Sequence, residues 1–297
     1  MQYPDSPPGR HESVPSDVYH SWSSLNSSKL GLILRSPAHL KAALDFPEEP
    51  TPAMIYGEAI HYAVLEPELL EQLYCGEKPT KPTGKGYDRR TKEGKENYAA
   101  WQRDVLEPWE AGNANKIQLP PQEYHRLPEI RAAIEATPAA KLVLGLGKVE
   151  SSFVWEDPDT GIMCRCRPDV CGEQRSLLVD LKSTRDARPE AFSKSVANFG
   201  YYRQAAWYLD GVNAVLGAGT VTEFVFVVVE KAPPYGVGVY VLEPEDVERG
   251  RAMNRTALKR LAWCRENDSW PSYGAKITPI GLPRWSRNQL DEGTGND

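Results

Sequence analysis

The chain has 297 residues, of which 40% are hydrophobic and 26% charged, the proportions of a globular protein with a sizeable core. The formal net charge of −6 argues against a general attraction to polyanions, although it leaves room for a local basic channel. The longest apolar run, Phe224 to Val229, is far shorter than the roughly 20 residues of a membrane-spanning helix, so no membrane contact is expected.

The N-terminus, MQYPDSPPGRHESVPSD, is polar and proline-rich and lacks the apolar segment of a secretion signal. We therefore expect a cytoplasmic protein whose five cysteines are free thiols. Residues 1–18 are expected to form a disordered tail, residues 19–286 a single folded domain, and residues 287–297 a C-terminal tail.

Helical patterns dominate the first half of the domain. A helix capped near Ser27 is predicted to break at Pro37, and a second is predicted from about Met54 to Tyr74 with an interruption at Pro67. The stretch from 78 to 95 holds seven lysines and arginines and indicates a mobile loop. Helices are also predicted near 97–109 and over LPPQEYHRLPEIRAAIEATPAAKLVL, where Pro128 suits a first helical turn.

Strand patterns dominate the second half. VESSFVWED, GIMCRCRPDV and SLLVDLKST are short, alternating segments separated by turn residues. A helix is predicted from about Pro189 to Leu209, with Gly200 inside it. Two strands, TEFVFVVVEK and GVGVYVLE, and a final helix, PEDVERGRAMNRTALKRLAWCREN, complete the order. This order predicts an α/β domain with a mixed central sheet flanked by helices.

Two carboxylates and a lysine fall close together in consecutive predicted strands. Asp180 and Lys182 share one face of SLLVDLKST, and Asp169 can join them if the two strands pair. Converging carboxylates favour a hard divalent cation, which can activate water for phosphodiester hydrolysis beside a lysine. Asp-x-Lys is common by chance, however, and these three residues alone favour an ordinary solvated hairpin.

Three further features strengthen the hypothesis of a nuclease site. Gly57 and His61 lie one helical turn apart, Glu150 precedes the first strand, and Gln204 and Tyr208 share one face of the next helix. Each has a structural alternative, such as an exposed helix surface. The ordered set is much less expected by chance than any one member.

This ordered set resembles the PD-(D/E)XK nuclease superfamily in its RecB-like branch, and more closely the nuclease domains of the RecE type (exonuclease VIII). The resemblance covers about residues 19 to 286, and its most specific block is ESSFVWEDPDTGIMCRCRPD (150–169). The other matching blocks are LGLILRSPAHLKAAL, GEAIHYAVLEPE (57–68), DRRTKEGK (88–95), VDLKST (179–184) and LPRW (282–285).

The resemblance implies a PD-(D/E)XK fold and a Mg²⁺-dependent 5′→3′ exonuclease, with Mn²⁺ able to replace Mg²⁺, that acts on linear double-stranded DNA. It would leave 3′ single strands for a RecT-like annealing protein in recombination, and the family's homotetrameric ring would enclose the DNA. Asp169 and Asp180 would be the main metal ligands, with His61, Glu150 and the Leu181 carbonyl completing the coordination. Lys182 would act on the attacking water and scissile phosphate, and Gln204 and Tyr208 would support the site or contact the DNA end.

Six basic residues are candidates for phosphate contacts: Arg89, Arg90, Lys92, Lys95, Arg165 and Arg167. The first four lie in the basic loop, where they could equally serve solubility. Arg165 and Arg167 could instead pair with the acidic cluster or with a neighbouring subunit.

The cysteine spacing bears on a cofactor found in some RecB-like nucleases, an iron–sulphur cluster held by one early cysteine and three later ones. Here Cys75 is early, Cys164, Cys166 and Cys171 form a group, and Cys264 is last. Two of them fall inside a predicted strand and no compact Cys-x-x-Cys run exists, so buried thiols and no cluster are expected.

Two other functions remain open from the sequence. One is a structure-specific endonuclease on the same fold, which would cut circular DNA. The other is a non-catalytic module that binds DNA ends, for which a complete set of metal-site residues has no use.

Overall fold

A computed structural model of the chain describes residues 7–274 and 276–282. Within these ranges the chain forms ten strands: β1 (Gly9–His11), β2 (Tyr74–Cys75), β3 (Ile117–Gln118), β4 (Lys148–Val149), β5 (Ser152–Glu156), β6 (Met163–Cys166), β7 (Val170–Gly172), β8 (Leu177–Thr184), β9 (Glu223–Glu230) and β10 (Val237–Val241). The expected C-terminal tail at 287–297 and most of the LPRW block lie outside the described residues.

The same ranges contain twelve α-helices: α1 (Ser16–Ser21), α2 (Ser27–Arg35), α3 (Pro37–Asp45), α4 (Pro52–Leu65), α5 (Pro67–Leu73), α6 (Lys92–Trp101), α7 (Glu107–Asn113), α8 (Pro121–Glu135), α9 (Pro138–Leu144), α10 (Pro189–Phe199), α11 (Tyr201–Leu216) and α12 (Pro244–Glu266). A π-helical segment, Gln102–Leu106, joins α6 to α7. None of these helices combines the length and apolar content that crossing a bilayer requires.

The central sheet is mixed, as the sequence predicts. Its strand order is β10-β9-β8-β7-β4, in which β8 and β9 are parallel and every other neighbouring pair is antiparallel. A second sheet has the order β1-β5-β6, and β2 and β3 form a two-stranded parallel pair.

Helix caps explain several of the boundaries. The Ser36 side chain accepts from the N–H of His39 and Pro37 occupies the first turn, so α2 ends and α3 begins where the sequence predicts a break. Thr51 caps α4 in the same way, ahead of Pro52. Pro128, by contrast, lies inside α8 rather than in its first turn, because α8 already begins at Pro121.

The single helix predicted around Gly200 is two helices. Gly200 has a φ of +71°, in the left-handed region, so it ends α10 and directs the chain into α11. The prediction was wrong because an apolar period continued across the glycine while the backbone changed direction.

Part of the expected N-terminal tail is structured. Residues 9–11 form β1, which pairs antiparallel with β5 between Gly9 and Val154 and between His11 and Ser152. The expectation of disorder over 1–18 is therefore wrong for residues 9–11 and for α1, while residues 1–6 lie outside the described part. A polar composition did not reveal this strand, because the strand it pairs with and the partners of its side chains, such as Glu173 and Phe153, are distant in sequence.

Helices cover both faces of the central sheet. On one face Leu178 and Phe226 pack with a cluster that includes Leu258 of α12, and on the other Val179 and Leu181 pack with a cluster from α4 and α8. The face of β8 that carries Asp180 is thus buried rather than solvated. Burial on both faces is expected where a parallel pair lies at the centre of a sheet.

Candidate metal and nuclease site

The two strand carboxylates lie opposite each other in the central sheet. β7 and β8 are antiparallel with Val170 opposite Val179, so continuing this register by one residue places Asp169 opposite Asp180. Asp169 is 6% exposed and Asp180 is 2% exposed. The Leu181 N–H donates a hydrogen bond to Oδ2 of Asp169, which fixes this carboxylate against β8.

Asp169 reaches this position by a route that the sequence does not show. It was predicted within a single strand segment, GIMCRCRPDV, but β6 ends at Cys166 and β7 begins at Val170. The two strands belong to different sheets, and the chain crosses between them through Pro168. Side-chain alternation therefore does not relate Arg165 to Asp169.

His61 and Glu150 converge on Asp169 from two other elements. The His61 Nδ1 of α4 lies 3.4 Å from Oδ1 of Asp169, and the Glu150 backbone N–H donates to the Asp169 carbonyl at 3.1 Å. One ligand atom from each of the three side chains lies within 4.8 Å of the others. A Cβ on Gly57, one turn before His61, would make only ordinary contact with Ser183, so steric room does not require this glycine.

The electrostatics of these groups are those of crowded, buried carboxylates. Burial and the charge of Asp169 raise the pKa of Glu150 to about 8. Burial disfavours the His61 imidazolium, but the charge of Asp169 outweighs it and raises the His61 pKa to about 9. Burial also opposes the Asp169 charge, yet His61 and Lys182 hold its pKa below the usual value. Without a metal, a protonated imidazole therefore balances part of the acidic charge.

Asp180 lies beside this group with a polar side chain close to each of its oxygens. The Lys182 Nζ is 2.5 Å from Oδ2, and the Gln204 Nε2 donates to Oδ1 at 2.7 Å. Burial raises the Asp180 pKa to about 6 although Lys182 opposes the shift. The Asp180 oxygens are not in the three-residue group, so its predicted role as a main ligand stays a prediction, as does the Leu181 carbonyl.

Tyr201 is a site residue that the sequence reasoning missed. Its ring centroid lies 4.8 Å from the Lys182 Nζ, and it begins the helix that carries Gln204. Its spacing of three residues before Gln204 is the signal that could have identified it. Tyr208, one turn beyond Gln204, packs edge-on against Phe224 at 6.0 Å, so it supports the helix from the core side.

Arg167 contacts the site from within the protein. Its Nε donates to Ser152 Oγ at 2.8 Å, one terminal nitrogen donates to the Val14 carbonyl at 3.0 Å, and the other lies 3.8 Å from a Glu150 oxygen. Glu150 has a φ of +52°, a left-handed conformation that costs a non-glycine residue roughly 1–3 kcal/mol. The guanidinium and the N-terminal segment thus hold a strained residue in place.

Arg165 is not available to a nucleic acid in this structure. It is 1% exposed, donates to the Trp22 carbonyl, and stacks over the Tyr19 ring at 4.8 Å. The predicted DNA contact by Arg165 is therefore wrong here. β6 is covered by the N-terminal helix α1, which the sequence assigned in part to a disordered tail.

The four cations of the basic loop are exposed. Arg90 pairs with Asp88 at 2.9 Å and Arg89 lies 4.9 Å from the Tyr98 ring centroid. Lys92 and Lys95 are in the first turn of α6, so this part of the predicted loop is helical. These contacts are local, and a DNA contact by the four residues stays a prediction.

The donor set at the centre fits a divalent cation. Carboxylate oxygens of Asp169 and Glu150 meet within a few ångströms, and two such groups repel each other unless a cation or a proton lies between them. Burial and, after it, this repulsion raise the Glu150 pKa. Oxygen donors suit Mg²⁺ and Mn²⁺, and the imidazole is the donor least typical of them. The five cysteines are buried and unbridged.

Comparisons with known proteins agree with this geometry. The family described as a PDDEXK-like domain of unknown function (DUF3799) matches residues 26–280. The fold is similar to the crystal structure of a protein named "Putative exonuclease" from Eubacterium rectale, with a TM-score of 0.55 and 12% identity over 96% of this chain and 100% of that one. No curated protein matches the chain. The chain therefore belongs to the PDDEXK-like DUF3799 family and has the PD-(D/E)XK nuclease fold.

Proposed function

We propose that the protein is a divalent-metal-dependent exodeoxyribonuclease that degrades linear double-stranded DNA from its 5′ ends and leaves 3′ single strands. The observation that carries the proposal is the convergence of Asp169, Glu150 and His61 beside the Asp180–Lys182 pair. The family is PDDEXK-like and the fold is the PD-(D/E)XK nuclease fold, which supports the coarser part of the proposal.

The residues divide the chemistry among themselves. Asp169, Glu150 and His61 would hold the cation, with Asp180 as a further candidate ligand. When bound, such a cation would polarise the phosphodiester and lower the pKa of a water molecule. Lys182 would place its ammonium against the negative charge that develops on the phosphate. Burial disfavours that charged form, but Asp180 and Asp169 outweigh it and raise the Lys182 pKa, so the ammonium stays charged at neutral pH.

The second layer of the site keeps these groups in place. Gln204 holds Asp180 from α11, Tyr201 lies under Lys182, and Arg167 holds Glu150. Such supporting contacts orient metal ligands and tune their basicity.

The finer assignments rest on the RecE-type resemblance of the sequence blocks. They are the 5′→3′ polarity, Mg²⁺ as the natural ion, a RecT-like annealing partner, and a homotetrameric ring around the DNA. Each of these is open to a separate experiment, and failure of one leaves the metal site unaffected.

The direct test uses linear duplex DNA labelled at either the 5′ or the 3′ end, next to a closed circle, with and without Mg²⁺. We expect early, Mg²⁺-dependent release of the 5′ label and an intact circle, and no release by Asp180→Ala. A cut circle would replace the exonuclease with an endonuclease. Tight end binding without cleavage would leave a non-catalytic module.

A further inference from the structure

Phe199 is exposed in a chain that buries most of its phenylalanines. The sequence has six, of which four lie in the core at 153, 192, 224 and 226. Phe199 is 68% exposed and Phe46 is 77% exposed. An exposed phenylalanine ring leaves a large apolar surface in water, so its position relative to the site is informative.

The ring of Phe199 continues an aromatic series that starts in the core and passes the lysine of the site. Tyr201 packs against Phe226 at a centroid distance of 5.9 Å on one side. On its other sides lie the Lys182 Nζ at 4.8 Å and the Phe199 ring at 5.6 Å, tilted by 33°. Tyr201 thus contacts both the Lys182 ammonium and the Phe199 ring.

The backbone fixes this arrangement. Gly200, the residue between Phe199 and Tyr201, has a φ of +71°, and this left-handed conformation ends α10 before α11 begins. Phe199 and Tyr201, two residues apart on either side of this junction, pack against each other. Neither ring depends on the basic loop for its position.

We propose that Phe199 is a stacking platform for a nucleobase of the DNA strand whose phosphate faces Lys182. The inference rests on the proposed function, because it needs DNA in the site. A strand that places a phosphate against the ammonium brings the attached nucleoside next to the exposed ring. Aromatic side chains stack on any base, so this contact suits an enzyme that must accept every sequence as it proceeds.

The surroundings of Phe199 favour a base over a protein partner. The α10 residues around it are polar or small and exposed, including Lys194, Ala197 and Asn198. A protein-docking surface would be expected to present a contiguous apolar patch. An exposed ring with polar or small α10 neighbours, packed on a tyrosine that lies beside a cation suited to phosphate, matches a nucleotide instead.

The test is a coupling experiment with abasic DNA. Each duplex has a short single-stranded end and carries one abasic nucleotide. The abasic position is moved through the first nucleotides of either strand. The Kd of the protein for each duplex is measured in Ca²⁺, which avoids cleavage. For wild type, one or two adjacent abasic positions should weaken binding by roughly 5- to 150-fold. Phe199→Ala should bind normal DNA more weakly than wild type by the same factor, and an abasic nucleotide at those positions should not weaken its binding further. Phe199→Trp should bind normal and abasic DNA as wild type does.

Phe46→Ala is the matched control. It removes an equally exposed phenylalanine at the end of α3, whose main neighbours are α2 and α12. This variant should retain the full abasic penalty. If Phe199→Ala also retains the full penalty at every position while wild type cleaves linear DNA, the stacking proposal is overturned and the nuclease stands. If wild type neither binds nor cleaves DNA, the proposed function itself has failed.

Discussion

Gln204 and Asp180 are joined by a hydrogen bond of 2.7 Å between an amide on α11 and a carboxylate on the central strand. The Lys182 Nζ lies 2.5 Å from the other carboxylate oxygen, so a polar side chain contacts each oxygen of Asp180. The pairing of Gln204 and Tyr208 on one helix face, a weak sequence signal when taken alone, thus has a physical role through Gln204. It ties a helix to the strand that carries the acidic residue and the lysine.

Replacing Gln204 should loosen this carboxylate without removing it. Gln204→Ala is expected to lower Mg²⁺ affinity or the rate of DNA cleavage by roughly 10- to 100-fold, as loss of a supporting contact does at metal sites. Mg²⁺ titration of the cleavage rate measures both quantities. Gln72→Ala, at an exposed position of α5, is the control and should match wild type. An unchanged titration for Gln204→Ala would show that the hydrogen bond does not affect the site.

Arg167 separates two interpretations of a basic residue near the site. If it positions Glu150, Arg167→Ala should weaken Mg²⁺ binding by roughly 10- to 100-fold and leave the salt dependence of DNA binding unchanged. Arg167→Lys should recover only part of the Mg²⁺ affinity, because an ammonium cannot reproduce the guanidinium contacts to Ser152 and Val14.

The opposite pattern would support the phosphate contact that the sequence suggested. In that case the slope of log K against log salt would fall by about one while Mg²⁺ binding stayed intact. Isothermal titration calorimetry of Mg²⁺ binding and fluorescence anisotropy of DNA binding at several salt concentrations distinguish the two outcomes.

The stability of the metal-free protein should fall as the pH rises from about 5 to 9. The folded-state pKa values of Asp180, Glu150 and His61 are raised to about 6, 8 and 9 from 3.8, 4.5 and 6.5. The folded chain therefore binds more protons than the unfolded chain across this window, and the free energy of unfolding decreases with pH. The lowered pKa of Asp169 has the opposite effect on stability, because it makes the free energy of unfolding increase with pH. That effect is confined to pH values below about the ordinary pKa of an aspartate.

Thermal unfolding in EDTA at pH 5.5, 7 and 8.5 checks this trend. Glu150→Gln should flatten it, and Glu48→Gln, at an exposed position, should not. Saturating Mg²⁺ should also flatten it, since metal ligands must be deprotonated to bind. A wild-type protein that gains stability toward pH 8.5 in EDTA would contradict the assigned charge states.

The basic residues at the start of α6 can be tested by salt dependence. If Lys92 and Lys95 each contact a phosphate, the double alanine variant should lower the slope of log K against log salt by roughly two. An exposed pair on α12, Lys259 and Arg249, makes the control with the same change in charge. Equal slopes for both double variants would assign the loop to solubility.

The sequence allowed the prediction of those features that local patterns encode. The valine-rich run of β9, the break at Pro37 and the mixed sheet follow from hydrophobic period, proline and element order. Lys182 was singled out by the Asp-x-Lys pattern, and His61 and Glu150 by the ordered set that carries the resemblance. The structure places His61 and Glu150 beside Asp169, and Lys182 beside Asp180.

Apart from the helix end at Gly200, the remaining features depend on partners distant in sequence. Arg165 alternates with Cys164 and Cys166 as if it faced solvent, but α1 and its neighbours bury it from 140 residues away. The strand at 9–11 forms because β5 offers an edge. Single-sequence patterns carry no signal for these two contacts. Gly200 differs, because a glycine inside a helical pattern is itself a signal for a helix end.

The central claim is that Lys182 and the acidic cluster hydrolyse DNA, and one measurement addresses it directly. Release of acid-soluble nucleotides from linear duplex DNA is followed with Mg²⁺ or EDTA for wild type and for Lys182→Ala, whose melting temperature and DNA affinity are checked in parallel. We predict Mg²⁺-dependent release by wild type, and loss of release by a folded, DNA-binding Lys182→Ala. Wild-type release in EDTA, or a normal rate in the variant, would contradict the account.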